Sequence, residues 1–438
     1  MAFYWKRVIL ILVLAIAILQ IVHLTLLNKL ELKKMERIKR SKVSIDSHSL
    51  PYATNDIIED RKRMWNLVKE SSILDSSGEY RIINHFLRAN SLGARNHIRK
   101  DVTLVTHSSI SRLHNLITVI ERWQGLVSLS LFTLTEDIPL AIETLLLLRR
   151  CNSIIRYNVS FHLIYPLRIP LTVLSTTATI TSRTLLDSFS HVDCENISKF
   201  VKYLQPKSMN YAHKSVPFPN NLLRNVGRRN ALSDFVFVTD IDLIPSSKLR
   251  EQFVEFASEN KLFEDTLKED KTVYVVPVYE MKEESFKLNL PKEKTELLRS
   301  IETMEARPFY FELCWKCHKY TDYEAWQREP QRAKLAALFE VLWQDPWEPF
   351  YISRNNVPLY DERFRQYGFN RISQVCELHI AGYKFSVLNN AFLIHNGLKT
   401  ADSFHSEKDF ELEKNRLLFR QFKSELKEKY PQSSRRCY

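Results

Sequence analysis

The stretch Phe235-Val-Phe-Val-Thr-Asp-Ile-Asp-Leu-Ile-Pro245 places two acids directly after a short apolar run. Its aromatic and β-branched residues are typical of a strand buried on both faces. The carboxylates of Asp240 and Asp242, two positions apart, can approach one hard cation such as Mn²⁺ or Mg²⁺. Aspartates at this spacing also form ordinary turns, but the position after a buried strand favours metal binding. We therefore predict that Asp240 and Asp242 are metal ligands.

Glycine is scarce, with seven residues in 438, whereas about 7 % is the usual level. Neither GxGxxG nor GxxxxGKS occurs, which excludes Rossmann-type and P-loop phosphate sites. A diphosphate ligand would therefore need a metal or basic side chains, in agreement with the acidic pair. Haloacid-dehalogenase-type phosphatases also place DxDx[TV] after a strand, but the fifth position here is Ile244.

The chain downstream of about residue 100 alternates strand and helix patterns. Strands are predicted at 101–106, 126–133, 159–165 and 234–239, and helices at 111–123, 137–148 and 218–232. This alternation predicts an α/β fold with a mostly parallel central sheet flanked by helices. Ligands of such sheets bind beyond the carboxyl ends of the strands, where Asp240 lies. The aromatic-rich region after about residue 255 is where we expect an acceptor to bind.

The N-terminus carries a hydrophobic run at residues 8–27, which is the length needed to cross a bilayer. A cleaved signal peptide is the alternative, although the run is long for one and no small-residue cleavage site follows. We predict a cytoplasmic tail at 1–7, a transmembrane signal-anchor at 8–27, a polar stem at 28–95 and a catalytic domain at 96–438.

The basic residues after the hydrophobic run and the glycosylation triplets give opposite indications about the orientation of the chain in the membrane. Residues 29–42 hold seven basic residues and two acids, and the positive-inside rule would place this flank in the cytosol. Asn158 and Asn196 instead begin N-x-S glycosylation triplets, which are used in the lumen. Much of the net charge of +12 lies near the anchor, so we expect a membrane and no nucleic acid as partner.

The six cysteines all follow the anchor and allow 15 pairings. Cys314 and Cys317 form a lone CxxC without the second pair that a structural zinc site needs. A disulfide or buried thiols are therefore favoured over zinc.

Further candidate residues follow from local chemistry. His395 ends an apolar run and could complete a metal shell, and Lys399 could contact a diphosphate. Arg224 and Arg228 share one helix face, which suits either an anionic ligand or a solvated surface. A structural histidine is the ordinary alternative for His395.

The segment Trp343-Gln-Asp345-Pro-Trp347-Glu348-Pro-Phe350 packs two acids among aromatic rings. A carboxylate desolvated by rings has a raised pKa and can act as a general base. We predict Glu348 or Asp345 as this base, with a structural aromatic turn as the alternative.

Several motifs resemble glycosyltransferase family 49. They are the segment 360–374, Cys376-Glu-Leu-His379, 388–397, 305–310, 312–317, 321–326 and 434–437. The resemblance covers roughly residues 100–438 and is most specific in the last part of the chain. It implies a type II Golgi membrane protein with a lumenal GT-A catalytic domain. It also implies Mn²⁺, with Mg²⁺ as the alternative, held by Asp240, Asp242 and His395.

The family resemblance implies transfer of glucuronic acid from UDP-glucuronate to a β-linked xylose, forming a β1,4 bond with inversion. The product would prime matriglycan on the O-mannosyl glycans of α-dystroglycan. Partners would then be the donor, a xylose-terminated glycoprotein glycan, the Golgi membrane and other glycosyltransferases. A related family-49 enzyme with another donor or acceptor, or a non-catalytic scaffold, are the alternatives.

Many inverting GT-A enzymes carry a Glu-Asp pair after a glycine-aromatic turn, whereas Tyr367-Gly-Phe-Asn-Arg371 has no carboxylate there. The base is therefore expected elsewhere, at Glu348 or Asp345. Thr106 and His107 are predicted to line the uridine pocket. Candidates for the donor carboxylate are Arg354, Arg363 and Arg365, and those for stacking on acceptor sugars are Trp326 and Trp347.

Overall fold

The computed structural model describes residues 52–93, 99–167, 192–203, 216–264, 270–400 and 407–437. The predicted tail at 1–7 and anchor at 8–27 lie outside these ranges. Within them, the structure contains no helix with the length and apolar character needed to cross a membrane.

A ten-stranded sheet with the order β1-β2-β5-β4-β3-β6-β12-β8-β13-β11 forms the centre of the fold. Its strands are β1 Ile73–Leu74, β2 Tyr80–Leu87, β3 Val102–Ser109, β4 Val127–Phe132, β5 Val159–Pro166, β6 Phe235–Val238, β8 Thr272–Val276, β11 Ala337–Val341, β12 Phe350–Arg354 and β13 Lys384–Leu388. Strands β5, β4, β3 and β6 are parallel, as are β8 and β13.

The remaining pairs of this sheet are antiparallel, so the sheet is mixed and not mostly parallel as predicted. Within the sheet, β12 lies antiparallel between β6 and β8. Strands β1, β2 and β11 add further antiparallel pairs at the two edges. The prediction of an α/β fold is confirmed, since helices and a central sheet build the molecule.

A second, four-stranded sheet has the order β10-β9-β14-β7. Its strands are β7 Leu243–Pro245, β9 Val278–Met281, β10 Ala306–Pro308 and β14 Leu393–Asn396. The acidic pair lies in the turn between β6 of the first sheet and β7 of the second. Because His395 on β14 is opposite Leu243 on β7, the second sheet brings the predicted histidine ligand next to Asp242.

The described helices flank these sheets. They are α1 Thr54–Glu70, α2 Asn115–Trp123, α3 Ile138–Cys151, α4 Ser153–Asn158, α5 Ile197–Tyr203, α6 Asn220–Arg229, α7 Leu249–Glu259, α8 Glu283–Leu288, α9 Lys294–Glu302, α10 Trp315–His318, α11 Tyr323–Arg328, α12 Asn370–Ile380 and α13 Lys408–Lys429. Helix α6 lies very close to β3, since a Cβ on Gly227 would meet Val105 Cγ1 at 2.6 Å. This close approach places Arg224 of α6 beside the end of β6.

The folded unit begins at Ala53, upstream of the predicted boundary at residue 96. Residues 53–93 were predicted as part of the stem, but α1 packs Met64 and Val68 into the main core. Strand β2 pairs antiparallel with β5 and extends the central sheet. The polar composition of α1 concealed this role, because only Met64 and Val68 of its 17 residues are buried.

Three disulfides join all six cysteines in the pairs Cys151–Cys194, Cys314–Cys317 and Cys376–Cys437. The CxxC is therefore a disulfide, the pairing state that was favoured over zinc. Of the two glycosylation triplets, Asn196 is exposed, whereas Asn158 is buried at the end of α4. A glycan on Asn158 would not fit this packing, so the structure disfavours that prediction.

Candidate active site

A cavity of about 640 Å³ opens where the acidic turn, β14 and α12 meet. Seven of the residues predicted from sequence line it. They are His107, Arg224, Asp240, Asp242, Glu348, His395 and Lys399. Its volume is in the range of small-molecule and cofactor sites.

Asp242 and His395 form one close pair in this cavity, with Nε2 of the ring 3.4 Å from Oδ2 of the carboxylate. Nδ1 of His395 lies 2.7 Å from the Gly397 carbonyl oxygen, which can only accept, so Nδ1 carries a proton. Nε2 is therefore the ring nitrogen that faces the carboxylate of Asp242. This orientation by a backbone carbonyl is common for histidines that bind metals.

The charges around Asp242 keep it ionised. Burial alone raises the pKa of this carboxyl, but the hydrogen bond and charge of His395, together with Lys399, lower the pKa to about 2. An ionised carboxylate and an oriented imidazole are both suitable ligands for Mn²⁺.

Asp240 is engaged differently, because each of its oxygens accepts a hydrogen bond from an arginine. Arg224 Nη2 lies 3.2 Å from Oδ1, and Arg371 Nη2 lies 2.9 Å from Oδ2. Burial raises the pKa of Asp240, but these two guanidinium groups outweigh it and hold the pKa far below its usual range. The carboxylate remains 36 % exposed and so stays open to the cavity.

The structure thus brings together two of the three predicted metal ligands, Asp242 and His395. Among the described residues, no group of three or more His, Cys, Asp or Glu side chains is arranged to hold a metal ion as it stands. Both oxygens of Asp240 instead accept hydrogen bonds from Arg224 and Arg371. The carboxylate of Asp242 and the imidazole of His395 fit a metal ion. Asp240 would become a third ligand only by giving up a hydrogen bond to Arg224 or Arg371.

Glu348 also lines the cavity and lies in the aromatic loop, which we define as residues 343–350. Its backbone nitrogen donates to the Cys317 carbonyl at 2.8 Å, so the adjacent disulfide helps to place it. Burial raises the pKa of this carboxyl to about 7, against the opposing effect of Arg371 and Arg224. A pKa near neutrality suits a general base.

Asp345 and Thr106 do not line the cavity, in contrast to the sequence prediction. Burial raises the pKa of Asp345, while Lys423 on the far part of α13 lowers it. Thr106 is buried within β3, and only its neighbour His107 reaches the cavity, where it packs near Phe218.

The arginines predicted for the donor carboxylate are bound elsewhere. Arg363 pairs with Asp361 and Glu425, and Arg365 pairs with Glu79. Arg354 donates to the Leu262 carbonyl. All three contacts lie away from the residues that line the cavity.

The two tryptophans predicted to stack on sugars are fully buried in the second hydrophobic core. Trp326 donates its indole N–H to the Leu388 carbonyl, and Trp347 donates to Thr321. Arg228 is likewise structural, since it donates to backbone carbonyls of 355–358.

Arg371 is the main functional candidate that the sequence interpretation missed. It lies at the start of α12, in the turn that lacks the expected carboxylate, and stacks 3.8 Å from the centroid of Phe350. The motif Tyr367-Gly-Phe-Asn-Arg371 contains this arginine, but the motif was interpreted only as a possible place for the general base. Tyr310 and Lys408 were also missed, and both line the cavity.

Comparison with known proteins shows that the chain is a glycosyltransferase. Residues 101–431 match the family described as "Glycosyl-transferase for dystroglycan". The chain belongs to this family, glycosyltransferase family 49, as its motifs indicated.

Curated relatives extend the similarity over nearly the whole chain. "Beta-1,4-glucuronyltransferase 1" of Danio rerio is 36 % identical over 98 % of this chain and 98 % of its own length. The Homo sapiens protein of that name is 37 % identical over 88 % of each chain. A solved structure, GalNAc-T7 with UDP, GalNAc and Mn²⁺, is 10 % identical over 76 % of this chain and 51 % of its own, with a TM-score of 0.38.

Proposed function

We propose that the chain is an inverting, metal-dependent GT-A enzyme that moves glucuronic acid from UDP-glucuronate to a β-linked xylose. One observation carries the proposal: a single cavity combines the Asp242–His395 pair, Lys399 and Glu348, whose pKa is near 7. The relatives named beta-1,4-glucuronyltransferase 1 support this donor and a β1,4 bond.

The acidic side of the cavity would bind the diphosphate end of the donor. Asp242 and His395 would hold Mn²⁺, with Mg²⁺ as the alternative, and Asp240 would join them after exchanging a hydrogen bond. The bound ion would offset the charge that UDP gains as it leaves. Lys399 lies close enough to lower the pKa of Asp242, so it can contact a phosphate oxygen beside the ion.

Arg371 is suited to bind the carboxylate of the donor sugar. Among the described residues, its guanidinium shows one hydrogen bond, from Nη2 to Asp240. Arg224 also forms an ion pair with Asp240, so two buried guanidinium groups contact one carboxylate. The three groups together carry one net positive charge at the cavity wall. A planar guanidinium binds a carboxylate through two parallel hydrogen bonds.

Glu348 would accept the proton of the xylose 4-hydroxyl as that oxygen forms its bond to C1 of glucuronic acid. The bond from C1 to the UDP oxygen breaks in the same displacement, and UDP departs from the opposite face. Because the pKa of Glu348 is about 7, the carboxyl is deprotonated in a large fraction of molecules at neutral pH.

A lumenal Golgi location and a type II orientation complete the proposal. The three disulfides support it, because disulfides persist in oxidising compartments. The family description supports α-dystroglycan as the glycoprotein whose O-mannosyl glycans are primed for matriglycan.

Another family-49 activity is the second candidate function. The Gallus gallus protein named "Xylosyl- and glucuronyltransferase LARGE2s" is 27 % identical to this chain. Its name includes xylosyl transfer, so related sequences can differ in donor sugar. A scaffold role is disfavoured, since it would not require Glu348 and Asp242 to face one cavity.

The test is a donor panel with the purified full-length chain, a β-xyloside acceptor and Mn²⁺, measuring UDP release for each sugar nucleotide. We expect turnover with UDP-glucuronate and little with UDP-glucose or UDP-N-acetylglucosamine. Turnover with UDP-xylose alone would replace the glucuronate proposal, and no turnover with any donor would favour the scaffold.

A further inference from the structure

A second cavity, of about 520 Å³, lies between the last turns of α13 and the C-terminal segment. We name it the basic cavity. Seven residues line it, four of them cations and none of them acids: Ile380, Arg420, Lys423, Ser424, Lys427, Arg436 and Cys437. The segment 420–437 contains six basic residues and two acids, so the local charge is strongly positive.

The four cations of the basic cavity are not neutralised by the protein. Among the described residues, none of them forms an ion pair with an acid, although Lys423 lies near enough to lower the pKa of Asp345. Two acids close to the cavity are engaged with other cations: Glu377 pairs with Lys429 at 2.7 Å, and Glu425 pairs with Arg363. Like charges brought together without counter-charges attract anionic ligands.

The basic cavity is built on rigid elements. The Cys376–Cys437 disulfide ties the C-terminal segment to α12, next to Arg436. The Arg436 guanidinium donates to the carbonyls of Ser433 and Arg435 at 2.5 and 2.8 Å. Helix α13 is anchored through buried Phe422 and Leu426.

Helix α13 also connects the basic cavity to the active site. Its first turns contribute Lys408 and Leu412 to the 640 Å³ cavity. Arg420 follows Leu412 by eight residues and Lys427 by fifteen, which corresponds to about 12 and about 22 Å along a helix. A chain of several sugar residues bound at one end in the active site can span that distance.

We propose that the basic cavity binds the anionic groups, carboxylate or phosphate, of an extended acceptor glycan whose terminal sugar lies in the active site. This inference rests on the proposed function, since it assumes a glycan acceptor. It adds a second contact that lowers the KM for charged acceptors and leaves the chemical step unchanged.

The experiment compares two β-xylosyl acceptors, one with a neutral extension and one whose extension carries carboxylates or phosphates. The full-length protein should show a KM about tenfold lower for the anionic acceptor at low salt, and the difference should shrink as salt rises. The double variant Arg420→Gln, Lys427→Gln should lose this difference with kcat unchanged. Lys414→Gln, a change of an exposed lysine in the middle of α13, is the matched control and should behave as the original protein.

Direct binding of the same oligosaccharides, measured by titration calorimetry, keeps the two proposals separable. Tighter binding of the anionic oligosaccharide, lost in the double variant, supports the basic cavity even if no transfer occurs. Equal KM values and equal affinities for the two oligosaccharides overturn the inference. Competition by inorganic phosphate without any preference between them identifies a simple phosphate site and also overturns it.

Discussion

Two regions of the active-site cavity shift the pKa values of their carboxyl groups in opposite directions. In the acidic turn, Asp240 and Asp242 are surrounded by cations and an imidazole, and both pKa values are lowered. In the aromatic loop, Glu348 is desolvated among rings, and its pKa rises to about 7. Burial raises the pKa of all three carboxyls, so the neighbouring charges decide the outcome.

This difference separates a permanent charge from a movable proton. Carboxylates that stay ionised at every relevant pH can hold a cation, whereas a carboxyl that titrates near neutrality can accept and return a proton. The comparison therefore assigns Asp242 to metal binding and Glu348 to proton transfer, and each assignment can be tested separately.

The largest effect is expected from Asp242→Asn, which removes the charge that faces His395. Because a bound metal offsets several kcal/mol of developing charge, kcat should fall about a thousandfold. Titration calorimetry with Mn²⁺ should show weaker binding in the same variant. Glu284→Gln, at an exposed position on α8, is a charge-matched control and should retain both properties.

Unchanged Mn²⁺ affinity in Asp242→Asn would remove this aspartate from the metal site. In that case the 3.4 Å contact with His395 would be a simple ion pair, and the two regions would no longer differ in role.

Glu348→Gln should lower kcat about a hundred- to a thousandfold, since glutamine cannot accept the proton. Below pH of about 7, kcat/KM of the original protein should fall about tenfold per pH unit, because protonation removes the base. That acidic limb should vanish in the variant, while Mn²⁺ affinity stays the same. An identical acidic limb in Glu348→Gln would assign the titration to another group.

Arg371→Lys tests the charged wall between the two regions. A lysine keeps the charge but loses the bidentate geometry, so turnover of UDP-glucuronate should fall about ten- to a hundredfold. Turnover of a neutral UDP-sugar should change little, which reduces donor discrimination. Arg363→Lys, at a surface ion pair away from the cavity, is the matched control. An equal loss of turnover for all donors would show that Arg371 positions Asp240 and does not bind the donor carboxylate.

Local patterns predicted much of the fold and part of the site. The strand before Asp240 and the parallel strands β3, β4 and β5 follow from short apolar runs, which local sequence makes visible. The pair Asp242–His395 was predicted only with the help of family motifs. No local pattern shows that β14 pairs with β7, because strand pairing between distant segments depends on the whole fold.

The errors share that cause. Strand β12 joins the sheet antiparallel between β6 and β8, and its sequence gives no sign of direction. Trp326 and Trp347 are of the residue type that stacks on sugar rings, yet long-range packing buries them completely. Arg371 gains its role from Asp240, which lies 131 positions away in sequence.

The smallest effect is expected from Asp345→Asn, which sharpens the contrast within the aromatic loop itself. Asp345 and Glu348 are three positions apart, but only Glu348 lines the active-site cavity. With a neutral acceptor, the variant should change kcat/KM by no more than about twofold, because Asp345 does not line the cavity. It should also keep the acidic limb of the pH profile. A loss as large as that of Glu348→Gln would show that the loop rearranges to present Asp345, and the proton acceptor would then be the residue nearer Lys423.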